Sequence, residues 1–350
     1  MIDIFTTKDN LESICLDEGK RPWLDMIIKL KEVFVNDDDI FSEDVDPEDD
    51  PFYTLDGMQV EINSSKKDYI NEIPSNPVLV LQQPSGIFLL DISSEKASQI
   101  QKDYGVICNS VAESNNIALT EPGWDVDTSD ESKEKSWKFF LSDIHTPLNA
   151  IVIVDRYFFS SEKNKTNVSL NESINDSYSN IKQILEALLP PKAKDEVINV
   201  AIVYDHDTMH SSEALDFKDL MTAVNKIKKS IVRSYAFTFE LISLTSDCYQ
   251  YKETHDRFII SNYFIVNATH KIKAYRTGNI SLENQILHFN YLFSKGIKPN
   301  DKSSLPMATQ DRVLNAIRES LSTSKNIIRH GYNGQTSKIG NFSIINRLLL

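Results

Sequence analysis

Ala150-Ile151-Val152-Ile153-Val154-Asp155-Arg156-Tyr157-Phe158-Phe159 decides the fold. It is a run of β-branched and aromatic residues without polar alternation, the mark of a strand covered on both faces, and such strands belong to sheets flanked by helices. The sign recurs downstream at Val197–Tyr204 and Ala236–Leu244. Between these strands, after a Ser/Asn/Lys-rich linker at 160–173, Ile174, Tyr178, Ile181, Leu185 and Leu188 trace one helical face that stops at Pro190-Pro191. Leu215, Leu220, Val224, Ile227 and Ile231 trace a second helix. Strand, helix, strand, helix, strand calls for right-handed crossovers and a mainly parallel sheet.

Further on, the segment around 255–262 and another at Ile265–Tyr275 read as an antiparallel hairpin that extends this sheet. Helices are expected near Leu282–Leu292 and Gln310–Ile328, followed by the tail Ile344–Leu350. Upstream, Trp23, Ile27, Leu30 and Phe34 recur at helical spacing, which predicts an amphipathic helix over Pro22–Val35. From Asp37 to Asp50 nine acids occur with no base, so 37–50 reads as a solvated, mobile loop. The runs at 78–82 and 87–91, separated by Pro84-Ser85-Gly86, read as strand, turn, strand. A short helix is expected at 94–104 and a strand at 105–108. The polar stretch 112–135 reads as a surface excursion, in which Trp124 packs locally or anchors a partner. The expected fold class is therefore α/β: a mainly parallel mixed sheet with flanking helices over 141–300, a smaller acidic α+β unit over 1–140, and a basic helical C-terminal cap over 301–350.

The 350 residues suffice for two compact units. No apolar run is long enough to span a bilayer, and the N-terminus lacks a basic region followed by a hydrophobic one, so a cytoplasmic protein without membrane partners is expected. The three scattered cysteines argue against a disulfide framework and against a CxxC zinc site. The net charge of -14 is unevenly spread: residues 1–200 carry 18 Lys/Arg against 38 Asp/Glu, and residues 201–350 carry 19 against 13. Lys271, Lys273 and Arg276, then Arg312, Arg318, Lys325 and Arg329, form basic clusters in the second part. Such clusters suit a phosphate-bearing ligand or nucleic acid, or else the docking of one half of the chain on the other.

One motif carries chemistry. Thr254-His255-Asp256-Arg257-Phe258-Ile259-Ile260-Ser261-Asn262 sets an imidazole and a guanidinium two residues apart, on one side of an extended chain, while Phe258 and Ile260 turn toward a core. The same residues also fit a surface histidine beside an Asp256–Arg257 ion pair. His255-x-Arg257-x4-Asn262 resembles a degenerate form of the HxKxxxxD motif of the phospholipase D-like superfamily, and the strand and helix order before it is similar to that fold. The resemblance covers about residues 145–295. It implies His255 as nucleophile, Arg257 as phosphate clamp and Asn262 as orienting group. Arg for Lys keeps the charge, but Asn for Asp removes the carboxylate that would stabilise an imidazolium. The downstream Gly-Ser-x-Asn is absent, Thr269-His270-Lys271-Ile272 standing in its place. A single motif per chain implies that catalysis would need a homodimer or a partner protein.

Two further clusters stand beside it. Tyr204-Asp205-His206-Asp207-Thr208-Met209-His210 follows a strand and reads as an ordinary crossover loop, with a divalent metal site as the lesser alternative. His330-Gly331-Tyr332-Asn333-Gly334 reads as a glycine-bounded turn, and no GxxxxGK or GxGxxG occurs anywhere. Asp155 could supply the carboxylate that Asn262 lacks, or belong to a buried structural pair. The leading expectation is a binding or regulatory subunit without cofactor or metal that engages nucleic acid or another phosphate-bearing ligand. The resemblance places such subunits in bacterial antiviral complexes. The alternatives are a dimeric, metal-independent phosphodiesterase or nuclease using His255, and a protein-interaction scaffold.

Overall fold

A computed structural model describes residues 2–40, 50–110, 118–130, 134–156, 158, 170–205, 225, 227, 229–244, 257–272, 274–276, 280–281, 284–294, 306–323, 328–332, 337–340 and 344–350. The chain divides into two compact units, Met1–Glu121 and Pro122–Leu350.

In the first unit strands and helices alternate: β1 (Ile4–Thr6), α1 (Lys8–Leu16), α2 (Arg21–Leu30), β2 (Glu32–Val35), α3 (Pro51–Gly57), β3 (Glu61–Asn63), α4 (Lys67–Glu72), β4 (Ile87–Leu90), α5 (Ser94–Tyr104) and β5 (Ile107–Ser110). The strands form one sheet in the order β3-β2-β1-β4-β5. Every pairing in it is parallel, so this unit is α/β rather than the expected α+β. Register puts Phe5 between Phe34 and Phe88, and the three rings stack at 5.2 and 5.1 Å with Tyr69 of α4 edge-on to Phe5.

That stack explains a correction. Phe34 has helical spacing from Leu30, yet α2 stops at Leu30, Lys31 turns left-handed with φ 66°, and Val33-Phe34-Val35 runs as a strand. A β-branched and aromatic run gains more from packing in register beside Phe5 than from another helical turn. A second correction concerns Pro77–Gln82, a 3-10 helix rather than a strand; β1 already has both neighbours, β2 and β4. The helix expected at 94–104 forms, and Gly105 closes it at φ 63°, where a side chain would be strained.

The second unit holds β6 (Trp124–Asp127), α6 (Trp137–Phe140), β7 (Ala150–Val154), α7 (Leu170–Leu188), β8 (Asn199–Asp205), β9 (Thr238–Leu244), β10 (Arg257–Ser261), β11 (Phe264–Ala268), β12 (Tyr275–Arg276), β13 (Ile280–Ser281), β14 (Ile286–Tyr291), α8 (Pro306–Thr323), β15 (Ile328–Tyr332) and β16 (Ser337–Gly340). Its main sheet has nine strands in the order β16-β15-β9-β8-β7-β10-β11-β14-β6, with β12 and β13 as a separate ribbon. Only β7, β8 and β9 pair in parallel. The expected βαβαβ order survives as this centre, but the flanks are antiparallel, so the sheet is mixed and not mainly parallel. The hairpin of β10 and β11 is present as expected.

Three elements differ from expectation here. Residues 286–291 form a strand instead of a helix, because Leu287, Phe289 and Tyr291 are buried while Ile286, His288 and Asn290 are not, a period of two. Trp124, placed in a surface excursion, lies on edge strand β6 with its ring stacked 3.9 Å from Phe289, so the boundary falls at 121/122, before 140. The C-terminal region is no purely helical cap: His330-Gly331 belongs to β15, which pairs with β9. Of the helix expected over 215–231, only 225, 227, 229 and 230 lie among the described helical residues.

A tail segment fastens this sheet. Glu240 on β9 is 1% exposed, and its carboxylate accepts the backbone N–H of Ile345 at 2.9 Å and of Asn346 at 2.7 Å. Asn346 in turn donates to the carbonyls of Ile151 and Asn199, which lie on the neighbouring strands.

Candidate functional site

The three motif residues do not assemble as one group. His255 lies outside the described residues. Arg257 begins β10, half-buried, while Asn262 follows its last residue. Five residue steps of extended chain separate these two by about 17 Å, too far to share one phosphoryl group. Asn262 is fully buried and structurally engaged: its Oδ1 accepts the N–H of Asn149 at 2.9 Å and of Ala150 at 3.0 Å, and its Nδ2 donates to Asn149 Oδ1 at 2.9 Å. The expected orienting group is therefore a clasp on the amino end of β7. At the other end of β7, Asp155 is also buried, and its Oδ2 accepts the Ile272 N–H at 3.0 Å. Continuing the β7–β10 register by one residue sets Asp155 opposite Arg257.

The expected basic residues are spread over several elements. Lys271 is half-buried in a turn whose backbone is held at both N–H and carbonyl by the Gln285 side chain. Arg276 and Arg329 belong to β12 and β15. Arg312 is exposed on α8, whereas Arg318 on the same helix donates to Leu348 O and to Asn315 Oδ1. Lys273 and Lys325, like 206–210 of the possible metal loop, lie outside the described residues. Among the described residues no three His, Cys, Asp or Glu gather as metal ligands, and no helix is long and apolar enough to cross a membrane. Burial pushes the thiol of Cys15 up to about 11 and that of Cys108 up to about 12, so neither is a ready nucleophile.

The first unit contains a site that the sequence reading did not single out. A cleft of about 370 Å³ opens at the carboxyl ends of β1, β2 and β4. In the order β3-β2-β1-β4-β5 the chain winds outward from β1 to β3, then crosses to β4 on the far side of β1. The switch of direction leaves a crevice beyond the strand ends, the usual ligand position in open α/β sheets. Thr7, Lys8 and Asp9 reach it from the N-cap and first turn of α1, directly after β1, Asn36 and Asp37 from the end of β2, and Leu90 and Asp91 from the end of β4. Ile70, Asn71 and Pro74 close one wall from α4 and the turn beyond it.

Asn36 organises the cleft. Its Oδ1 accepts the Lys8 N–H at 2.9 Å, its Nδ2 donates to Asn71 Oδ1 at 3.0 Å, and its carbonyl accepts from Asn71 Nδ2 at 3.3 Å. One side chain thus ties the start of α1 to α4 across the floor. The Lys8 ammonium donates to the carbonyl of Asp39. Asp9 and Asp91 are exposed, and neither carboxylate has a hydrogen-bond or ion-pair partner among the described residues. A sequence signal for the site exists in retrospect. Each of Ile4-Phe5-Thr6, Val33-Phe34-Val35 and Phe88-Leu89-Leu90 is an apolar or β-forming triplet with an aspartate at most three residues beyond it.

No protein-family model matches the chain, and no curated protein matches it. Fold and site chemistry therefore carry the functional reading alone.

Proposed function

We propose that the chain is a ligand-binding protein whose smaller unit takes a small polar molecule in the cleft beyond β1, β2 and β4. The observation that carries this reading is the convergence of side chains from three adjacent parallel strands on one crevice at the switch point of the sheet. The volume of about 370 Å³ is in the range of small-ligand sites. A panel of nucleosides, amino acids, sugars and amines tests it by thermal shift on the full chain. A ligand at ten times its Kd adds about 1.4 kcal/mol of stability. One class should raise the melting temperature in the native protein and leave it unchanged in Asn71→Tyr, which puts a bulky ring into the wall of the cleft. A panel without effect, or a shift that survives Asn71→Tyr, overturns the reading.

A second reading concerns the larger unit. Arg257 stands beside the carboxyl end of β7, on the edge of the parallel centre where such sheets take ligands, and this supports engagement of nucleic acid or another phosphate-bearing ligand there. The phospholipase D-like assignment and an antiviral setting rest on the motif around His255 and go no further than that resemblance. Binding predicts salt-sensitive retention of single-stranded DNA that Arg257→Ala weakens. A nuclease predicts metal-independent cleavage that His255→Ala abolishes. Absence of both removes this reading.

A further inference from the structure

The cleft of the smaller unit is built with a definite polarity, and we infer that its ligand is a small organic cation, an amine or guanidine with a short apolar spacer; this rests on the ligand-binding reading above. The argument begins with what the cleft can no longer offer an anion. A helix start at the switch point is the natural cradle of a phosphate. At α1 three of the four leading donors are already taken: the Lys8 N–H by Asn36 Oδ1, the Asn10 N–H by Thr7 Oγ1 at 3.4 Å, and the Leu11 N–H by Thr7 O at 3.0 Å, which leaves the Asp9 N–H, carried by a residue whose own carboxylate repels an anion. The turn Thr7-Lys8-Asp9-Asn10 contains no glycine, so a pyrophosphate cannot approach the backbone as it does in glycine-rich turns. The single lysine of the lining aims its ammonium at Asp39 O, away from the role of a phosphate clamp.

The acceptors remain. Asp9, in the first turn of α1, and Asp91, just after β4, follow the two strands that flank the switch point, and their carboxylates are unengaged among the described residues. Among the described residues Asp37, at the end of β2, accepts the local Asp39 N–H at 3.0 Å through one oxygen, and its other oxygen accepts nothing. Ile70, Pro74 and Leu90 add apolar surface to the same lining for methylene groups. A cavity lined by free carboxylate acceptors and apolar groups, with most of its helix donors spent, favours a cation over a nucleotide.

The test is a calorimetric titration of the full chain with agmatine and with putrescine, alongside AMP and myo-inositol, at physiological ionic strength. Agmatine or putrescine should bind saturably with one site per chain. Asp9→Asn combined with Asp91→Asn, both exposed positions, should weaken binding at least tenfold with the fold retained by circular dichroism. Binding of the amines that is unaltered in the double variant reflects the overall negative charge and overturns the inference. Binding of AMP or myo-inositol in their place, abolished by Asn71→Tyr, overturns the cation class while the cleft reading stands. Absence of binding by all four, together with a flat thermal-shift panel, removes the cleft reading itself.

Discussion

Removing the Glu240 carboxylate should cost the second unit a large part of its stability. Glu240 is 1% exposed and accepts two backbone N–H groups from Ile345 and Asn346. In Glu240→Ala the buried Asn346 N–H and the part-buried Ile345 N–H lose their acceptor, at about 1–3 kcal/mol each, so a loss of about 3 kcal/mol is expected against a typical domain total of about 5–15 kcal/mol. Deleting 344–350 creates the converse defect, a buried carboxylate without those donors, and also removes the buried side chains of Leu348 and Leu349. The two lesions share one interaction, so their penalties must not add. Glu240→Leu placed in the shortened chain should regain about 1–2 kcal/mol, because it removes a stranded charge. Urea denaturation followed by tryptophan fluorescence in a Trp23→Phe background reads the second unit alone, since Trp124 and Trp137 both lie in it. Additive penalties, or a Glu240→Ala loss below about 0.5 kcal/mol, would refute the clasp.

Three other outcomes follow from single contacts. Gly123→Ala should detach edge strand β6, because a Cβ there would sit 2.0 Å from the Phe289 carbonyl oxygen; faster hydrogen exchange over Trp124–Asp127, with a loss of about 2 kcal/mol, checks this. Asn262→Ala should lower stability by about 3 kcal/mol through the orphaned N–H groups of Asn149 and Ala150, yet leave retention of DNA by the folded protein unchanged. Burial raises the carboxyl pKa of Asp3 above its usual value, with Glu32 adding to the rise. The charged form is therefore the one the fold disfavours, and stability at this site falls as pH climbs through and above the ordinary carboxyl range. Asp3→Asn should raise the urea midpoint of the first unit at neutral pH and lose that advantage in acid, whereas an equal gain at both pH values would point to another cause.

How much of the fold could be read from the chain depended on strand length. β7, β8 and β9 are five to seven residues of nearly continuous apolar sequence, and such runs admit few readings besides a buried strand. β1 and β3 have three residues each, too few to show a period, and β2 hid behind a chance helical spacing at Phe34. Without them the parallel order of the first unit was invisible, and with it the cleft, since what gathers Asp9, Asp37 and Asp91 is the pairing of β1 with β2 and with β4. β14 was misread because Leu287, Phe289 and Tyr291 alternate within a stretch whose outer leucines suggest a helix. For Asn262 the role came from the motif resemblance, whereas the extended strand keeps it at the far end from Arg257, where it binds Asn149 and Ala150.

The clasp on β9 also sets an order in time. Glu240 leaves the ribosome 105 residues ahead of the first amide it needs, so a nascent chain carries this acid among Phe239, Leu241 and Ile242 without its tail donors until the tail has been made. The strands of the first unit are all synthesised by Ser110 and can close without waiting. Translation thus delivers a finished first unit tethered to an immature partner, and pausing or premature termination before Asn346 would expose chaperones and proteases to the larger unit alone.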